Sequence, residues 1–176
     1  MREVAPRVRG LYEDGLPLPE RPSPATAAWD GPSPFPGGVN LQKQSPVPTE
    51  FDKPFYDACN EERLVVQHCA ACNRFQFPPR MMCPRCGGAN LQWRQVSGRG
   101  RIQSRVVVYD SPVSALIPDQ PFNVATIALE EEPDVIMLSH LPGVPVDQVP
   151  IGATVEVMFE TTPATGQKVP EWRVVA

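Results

Sequence analysis

Four of the five cysteines fall within one short stretch, as Cys69-x-x-Cys72 and Cys83-x-x-Cys86 separated by ten residues. Each Cys-x-x-Cys turns two sulfurs back toward one point, and two such knuckles make a tetrahedral thiolate cage with metal–sulfur bonds of about 2.3 Å. Four thiolates leave no open coordination position, so the spacing predicts a structural Zn2+ rather than a catalytic one. Iron is the alternative, because the same donor set holds it. Pro84 and Gly87 suit a tight knuckle turn whose backbone lies close to the metal. Redox use of the pairs is the weaker reading, since two matched pairs would be redundant and neither sits in a βαβ pattern. The fifth cysteine, Cys59, stands apart on an apolar helical face and reads as a small buried hydrophobe, not a nucleophile. His68 and His140 are given no role: the cage needs no fifth ligand, and His140 lies in an apolar strand.

Charge around the cysteines is the second signal. From Arg63 to Tyr109 the chain has no Asp or Glu but carries eight arginines, among them Arg74, Arg80, Arg85, Arg99 and Arg101. Set against the two net negative charges of a zinc tetrathiolate, these leave about +6 in a protein whose overall formal charge is −4. Part of that charge balances the thiolates; the excess points to an anionic partner, and guanidinium forks match phosphate oxygens two at a time. Phe75, Phe77 and Trp93 are interleaved and could stack on a flat ring, although core packing is their commoner use. Single-stranded nucleic acid and a nucleotide-tailed cofactor such as coenzyme A both pair phosphates with something flat. The acidic total and the lack of lysine-rich tracts weigh against general nucleic-acid binding.

The elements that must position these groups follow from patterning. Residues 1–50 hold ten of the 23 prolines and few large apolar side chains, which predicts an extended arm that does not fold alone. It is either a loose tail or a strap laid on a partner, with Leu11, Tyr12, Trp29 and Phe35 as anchors. A helix is expected over 51–63, capped by Asp52, with Phe55, Tyr56 and Cys59 on its apolar face. From Leu64 the pattern turns to short β-rich runs parted by Gly, Pro or acidic turns. A ribbon is expected over 64–92 and a barrel over 93–176, with a bend or bulge at Ser97-Gly98-Arg99-Gly100. Five or six short antiparallel strands make the OB-fold the leading architecture. The fold class is therefore mainly β: a rubredoxin-like zinc ribbon, then a small OB-fold barrel. With neither a signal-peptide core nor a run of about 18 apolar residues, a cytoplasmic protein without a membrane partner is expected.

Residues 51–176 resemble the acyl-CoA-associated zinc-ribbon plus OB-fold family, once described as a domain of unknown function. The resemblance is carried by Pro78-Pro79-Arg80, Cys83-Pro84-Arg85-Cys86, Trp93 with Val96-Ser97-Gly98, and Pro121-Phe122 with Ala125 and Leu129. It implies a non-catalytic subunit that stands beside a thiolase-like, acyl-transferring or aldolase enzyme and supports its work on CoA esters. A CoA ester is then the shared ligand, contacted from the ribbon side. Arg74, Arg80, Arg85, Arg99 and Arg101 are the candidates for its 3′-phosphate and pyrophosphate. The proline-rich arm lies outside the resemblance.

Overall fold

A computed structural model describes residues 45–109 and 121–175. Leu11, Tyr12, Trp29 and Phe35, the expected anchors of the arm, lie outside the described residues.

The first element, α1 (Lys53–Asn60), is shorter than the helix expected over 51–63. At its start, the Asp52 carboxylate accepts hydrogen bonds from the Thr49 N–H and hydroxyl at 2.6 and 2.7 Å, so it caps no helical N–H. At its end, Glu62 adopts a left-handed φ of 58°. Glu62 N–H donates to Cys59 O and Arg63 N–H to Ala58 O at 3.0 and 2.9 Å, a pair of bonds that closes the helix one turn early. Phe55, Ala58 and Cys59 form its buried face, with Tyr56 packed beside them.

Three short strands form the ribbon sheet: β1 (Val65–Cys69), β2 (Arg74–Gln76) and β3 (Leu91–Gln95), in the order β2-β1-β3. Strand β1 is central and buried along its whole length. Five longer strands follow: β4 (Arg99–Val108), β5 (Phe122–Leu129), β6 (Ile136–Ser139), β7 (Thr154–Thr161) and β8 (Lys168–Val174). They pair antiparallel in the order β6-β5-β4-β7-β8. The two edges meet where the Ser139 hydroxyl donates to Glu171 Oε2 at 2.5 Å, so the sheet curls into a nearly closed OB-type barrel. Ribbon and barrel share one apolar core that runs from Phe55, Cys59 and Val66 to Ile102, Ile127, Leu129, Val155 and Trp172. Among the described residues, no helix is long and apolar enough to cross a membrane.

The bend expected around Ser97–Gly100 is present at Gly98, with φ +74°, but the bulge falls later, between Ile102 and Ser104. A Cβ on Gly98 would stand 2.5 Å from Val157 Cγ1. Gly166 has the same φ, +74°, with nothing within 4 Å of an added Cβ. Gly166→Ala should therefore lose about 1 kcal/mol from backbone strain alone. Gly98→Ala should lose about 2–4 kcal/mol, because overpacking adds to that strain. Urea unfolding of the two variants separates the terms, and equal losses would mean that Val157 does not confine the bend.

Candidate metal centre and adjoining groove

The cage is built by two copies of one backbone device. In the first knuckle, Asn73 N–H donates to Cys69 O at 2.8 Å and Asn73 turns left-handed, with φ 58°. In the second, Gly87 N–H donates to Cys83 O at 2.9 Å and Gly87 turns left-handed, with φ 71°. Asn and Gly are the residues that tolerate this conformation, which explains their place just after each second cysteine. Gly88 lies so close to the cage that a Cβ there would meet Cys86 Sγ at 3.3 Å and Cys69 Sγ at 3.7 Å.

One sulfur from each of the four cysteines lies within 4.8 Å of all the others. Cys69 Sγ–Cys86 Sγ and Cys72 Sγ–Cys83 Sγ are both 3.6 Å, far beyond a disulfide bond. A tetrahedron with 2.3 Å bonds has edges of about 3.8 Å, so the donor set fits Zn2+ without rearrangement. The thiols divide unequally. Backbone N–H groups of Cys86 and Arg85 push Cys83 down to about 6, whereas desolvation and neighbouring sulfurs push Cys72 up to about 12. Four sulfurs this close ionise together only around a cation, and zinc supplies that charge together with a cross-link between the knuckles. Cys59, by contrast, is fully buried in the core, and burial pushes its thiol up to about 12.

Beside the cage runs a groove of about 320 Å3, lined by Arg74, Phe75, Phe77, Arg80, Arg85 and Asp134 among others. Arg80 is held by its backbone: its N–H donates to Gln67 Oε1 at 2.7 Å, and the same oxygen accepts from Gln76 Nε2 at 2.8 Å. Arg85 sits inside the second knuckle itself, between Cys83 and Cys86. Three of the five predicted arginines thus come together here. Arg99 and Arg101 do not line this groove: both lie on β4.

The arginines differ in what already neutralises them. Arg74 Nε pairs with Glu132 Oε2 at 2.8 Å, and its Nη2 with Asp134. Arg99 pairs with Glu130 at 3.4 Å and Glu156 at 3.8 Å. The Arg101 guanidinium donates to Gly152 O at 3.2 Å. Among the described residues, Arg80 and Arg85 line the groove without an ion pair. Sequence reasoning missed the acids that settle this partition. Their signal was the run Glu130-Glu131-Glu132-Pro133-Asp134, which the barrel folds back onto the ribbon. It also missed Gln67 and the bond from His68 Nε2 to Asn73 Oδ1 at 2.9 Å, which braces the first knuckle. His140 is buried, its Nδ1 donating to Asn123 O at 3.1 Å.

Comparison with known proteins gives one family for both halves. Residues 57–92 match the family described as "ChsH2, rubredoxin-like zinc ribbon domain", and residues 93–160 that described as "ChsH2, C-terminal OB-fold domain". A probable enoyl-CoA hydratase alpha subunit from Thermomonospora curvata is 32% identical over 101 residues, covering 57% of this chain and 30% of its own length. A DUF35 domain-containing scaffold protein from Pyrococcus furiosus is 33% identical over 82 residues, covering 47% of this chain and 58% of its own. The chain thus spans less than two thirds of either curated relative. Among solved structures, the "Ltp2-ChsH2(DUF35) aldolase" aligns with a TM-score of 0.65 at 26% identity, over 75% of this chain and 100% of the other. A DUF35-family protein of unknown function from Sulfolobus solfataricus shares the fold, with a TM-score of 0.51 at 15% identity over 72% and 86% of the two chains.

The ion-pair partition predicts two classes of arginine. Arg74→Met strands Glu132, whose side chain is only 11% exposed, and should destabilise the protein by about 3 kcal/mol. Arg80→Ala should change stability by less than about 0.5 kcal/mol, as substitutions away from such features do. Thermal unfolding checks both, and similar effects for the two would contradict the partition.

Proposed function

From its membership of the ChsH2-type zinc-ribbon and OB-fold family, to which this chain belongs, we propose that the protein is a non-catalytic subunit of an enzyme acting on coenzyme A esters. The groove beside the metal centre would hold the phosphate-bearing end of the ester. The observation that carries this reading is the pair Arg80 and Arg85: two groove-lining guanidinium groups left without carboxylates while Arg74 and Arg99 are neutralised. Both stand on backbone braced by the cage or by Gln67, which fixes the points from which they reach toward a phosphate. Phe75 and Phe77 on the same wall offer faces for the adenine ring.

The groove is at the small end of ligand sites, with room for one end of a CoA ester. The pantetheine arm and the reacting thioester would extend into the catalytic subunit, a thiolase-like, acyltransferase or aldolase chain. Chemistry belongs there: the four clustered cysteines are taken by the cage, and Cys59 is buried with its thiol far from ionisation. The proline-rich arm, with Leu11, Tyr12, Trp29 and Phe35, would lengthen the contact with that subunit.

Calorimetric titration of the full chain with CoA and with 3′-dephospho-CoA tests the groove. Charge-assisted bonds of roughly 1.5–3 kcal/mol predict at least tenfold tighter binding of CoA. The double substitution Arg80→Ala, Arg85→Ala should remove that preference. Unchanged CoA binding by the variant would refute the assignment. Salt-sensitive binding of a single-stranded oligonucleotide, with no binding of CoA, would favour a nucleic-acid function instead.

A further inference from the structure

Three arginines line the groove beside the cage, and one carboxylate, Asp134, stands among them. A carboxylate repels the anion that such a groove attracts, so it weakens the seat in which it stands. The stability of the fold does not require it there. Arg74 is already neutralised by Glu132, whose Oε2 lies 2.8 Å from its Nε and whose side chain is 11% exposed. Asp134 is a second carboxylate on the same guanidinium, bound at Nη2 and 80% exposed. An exposed pair of this kind adds little to stability. Arg80 and Arg85, which line the same groove, have no carboxylate among the described residues.

The two bonds of Arg74 differ in how easily they break. Losing the pair with Glu132 would leave a nearly buried charge without a counterion. Asp134 has water to turn to. It can also leave without moving the chain, because the turn between β5 and β6 is tied at its backbone. Val135 N–H donates to Glu132 O at 2.8 Å, and Leu129 N–H to Val135 O at 3.1 Å. Only side-chain torsions of Asp134 need change. Arg74 is itself placed by β2, where it stands opposite Cys69 of β1. One side of its fork is thus anchored, and the other is held by an exchangeable group.

Resting on the CoA-ester reading above, we propose that Asp134 is a built-in stand-in for a phosphate of the ligand: it occupies the Nη2 side of Arg74 in the free protein and gives it up when CoA enters. Arg74 then joins Arg80 and Arg85 as a third phosphate contact, while Glu132 keeps the guanidinium oriented. A phosphate offers more negative charge and more acceptor oxygens than a carboxylate, and a guanidinium takes two of those oxygens at once. Exchange therefore runs toward the ligand. The contact lowers affinity, because the ligand must break it first, and Asp134 thereby sets how tightly the groove holds CoA.

Calorimetric titration of the full chain with CoA tests the stand-in. Asp134→Asn should leave the melting temperature unchanged but tighten CoA binding about fivefold, the worth of one exposed ion pair. Arg74→Lys keeps a cation beside Glu132 but loses the fork. In that background Asp134→Asn should tighten binding by less than about twofold, because the two positions act as one unit. A full gain there would mean that Asp134 only repels the ligand at a distance, and would overturn the proposal. CoA binding left unchanged or weakened by Asp134→Asn in the otherwise native chain would overturn it too. In both cases binding by the unsubstituted chain leaves the CoA reading intact. If neither the unsubstituted chain nor Asp134→Asn binds CoA, both fall together.

Discussion

Four sulfurs held within 4.8 Å of one another are the constraint on which the rest of the ribbon depends. A three-stranded sheet this short buries too little apolar surface to stand on its own. A structural zinc contributes roughly 10–16 kcal/mol to folding in comparably small domains. That energy locks two left-handed knuckles, and with them the backbone that carries Arg85 and, through the loop before Cys83, Arg80. Metal, knuckle and guanidinium form one chain of cause. The zinc does no chemistry; it fixes where positive charge is presented.

Electrostatics then divides labour across the molecule. The ribbon has an excess of cations and the barrel an excess of acids, and folding sets Arg74 of the ribbon against two of those acids. Glu132 and Asp134 take Arg74, while Glu130 and Glu156 take Arg99. The pairs of Arg74 tie the ribbon to the turn between β5 and β6, those of Arg99 lie within the barrel, and Arg80 and Arg85 remain in the groove. What stays uncompensated is the positive charge of the groove beside the cage.

What the sequence made legible was local. The cysteine spacing carries its own geometry, and alternating apolar residues carry the strands, so the mainly β class and the ribbon-then-barrel order could be read directly. Features set by distant contacts could not. Arg74 and Asp134 are 60 residues apart, and nothing near either names the other. The bulge lies past the glycines at Gly98 and Gly100, because register with β5 decides its position. The helix is shorter than its apolar pattern, because Thr49 captures the Asp52 carboxylate and Glu62 turns left-handed.

The most direct test of the central claim is amide hydrogen exchange of the full chain before and after the metal is stripped with a chelator. The account predicts one tightly bound zinc. Its removal should expose the amides of Asn73, Arg80, Cys83 and Gly87, while those of β4, β5 and β7 keep their protection. A metal-free protein with those ribbon amides still protected would contradict it.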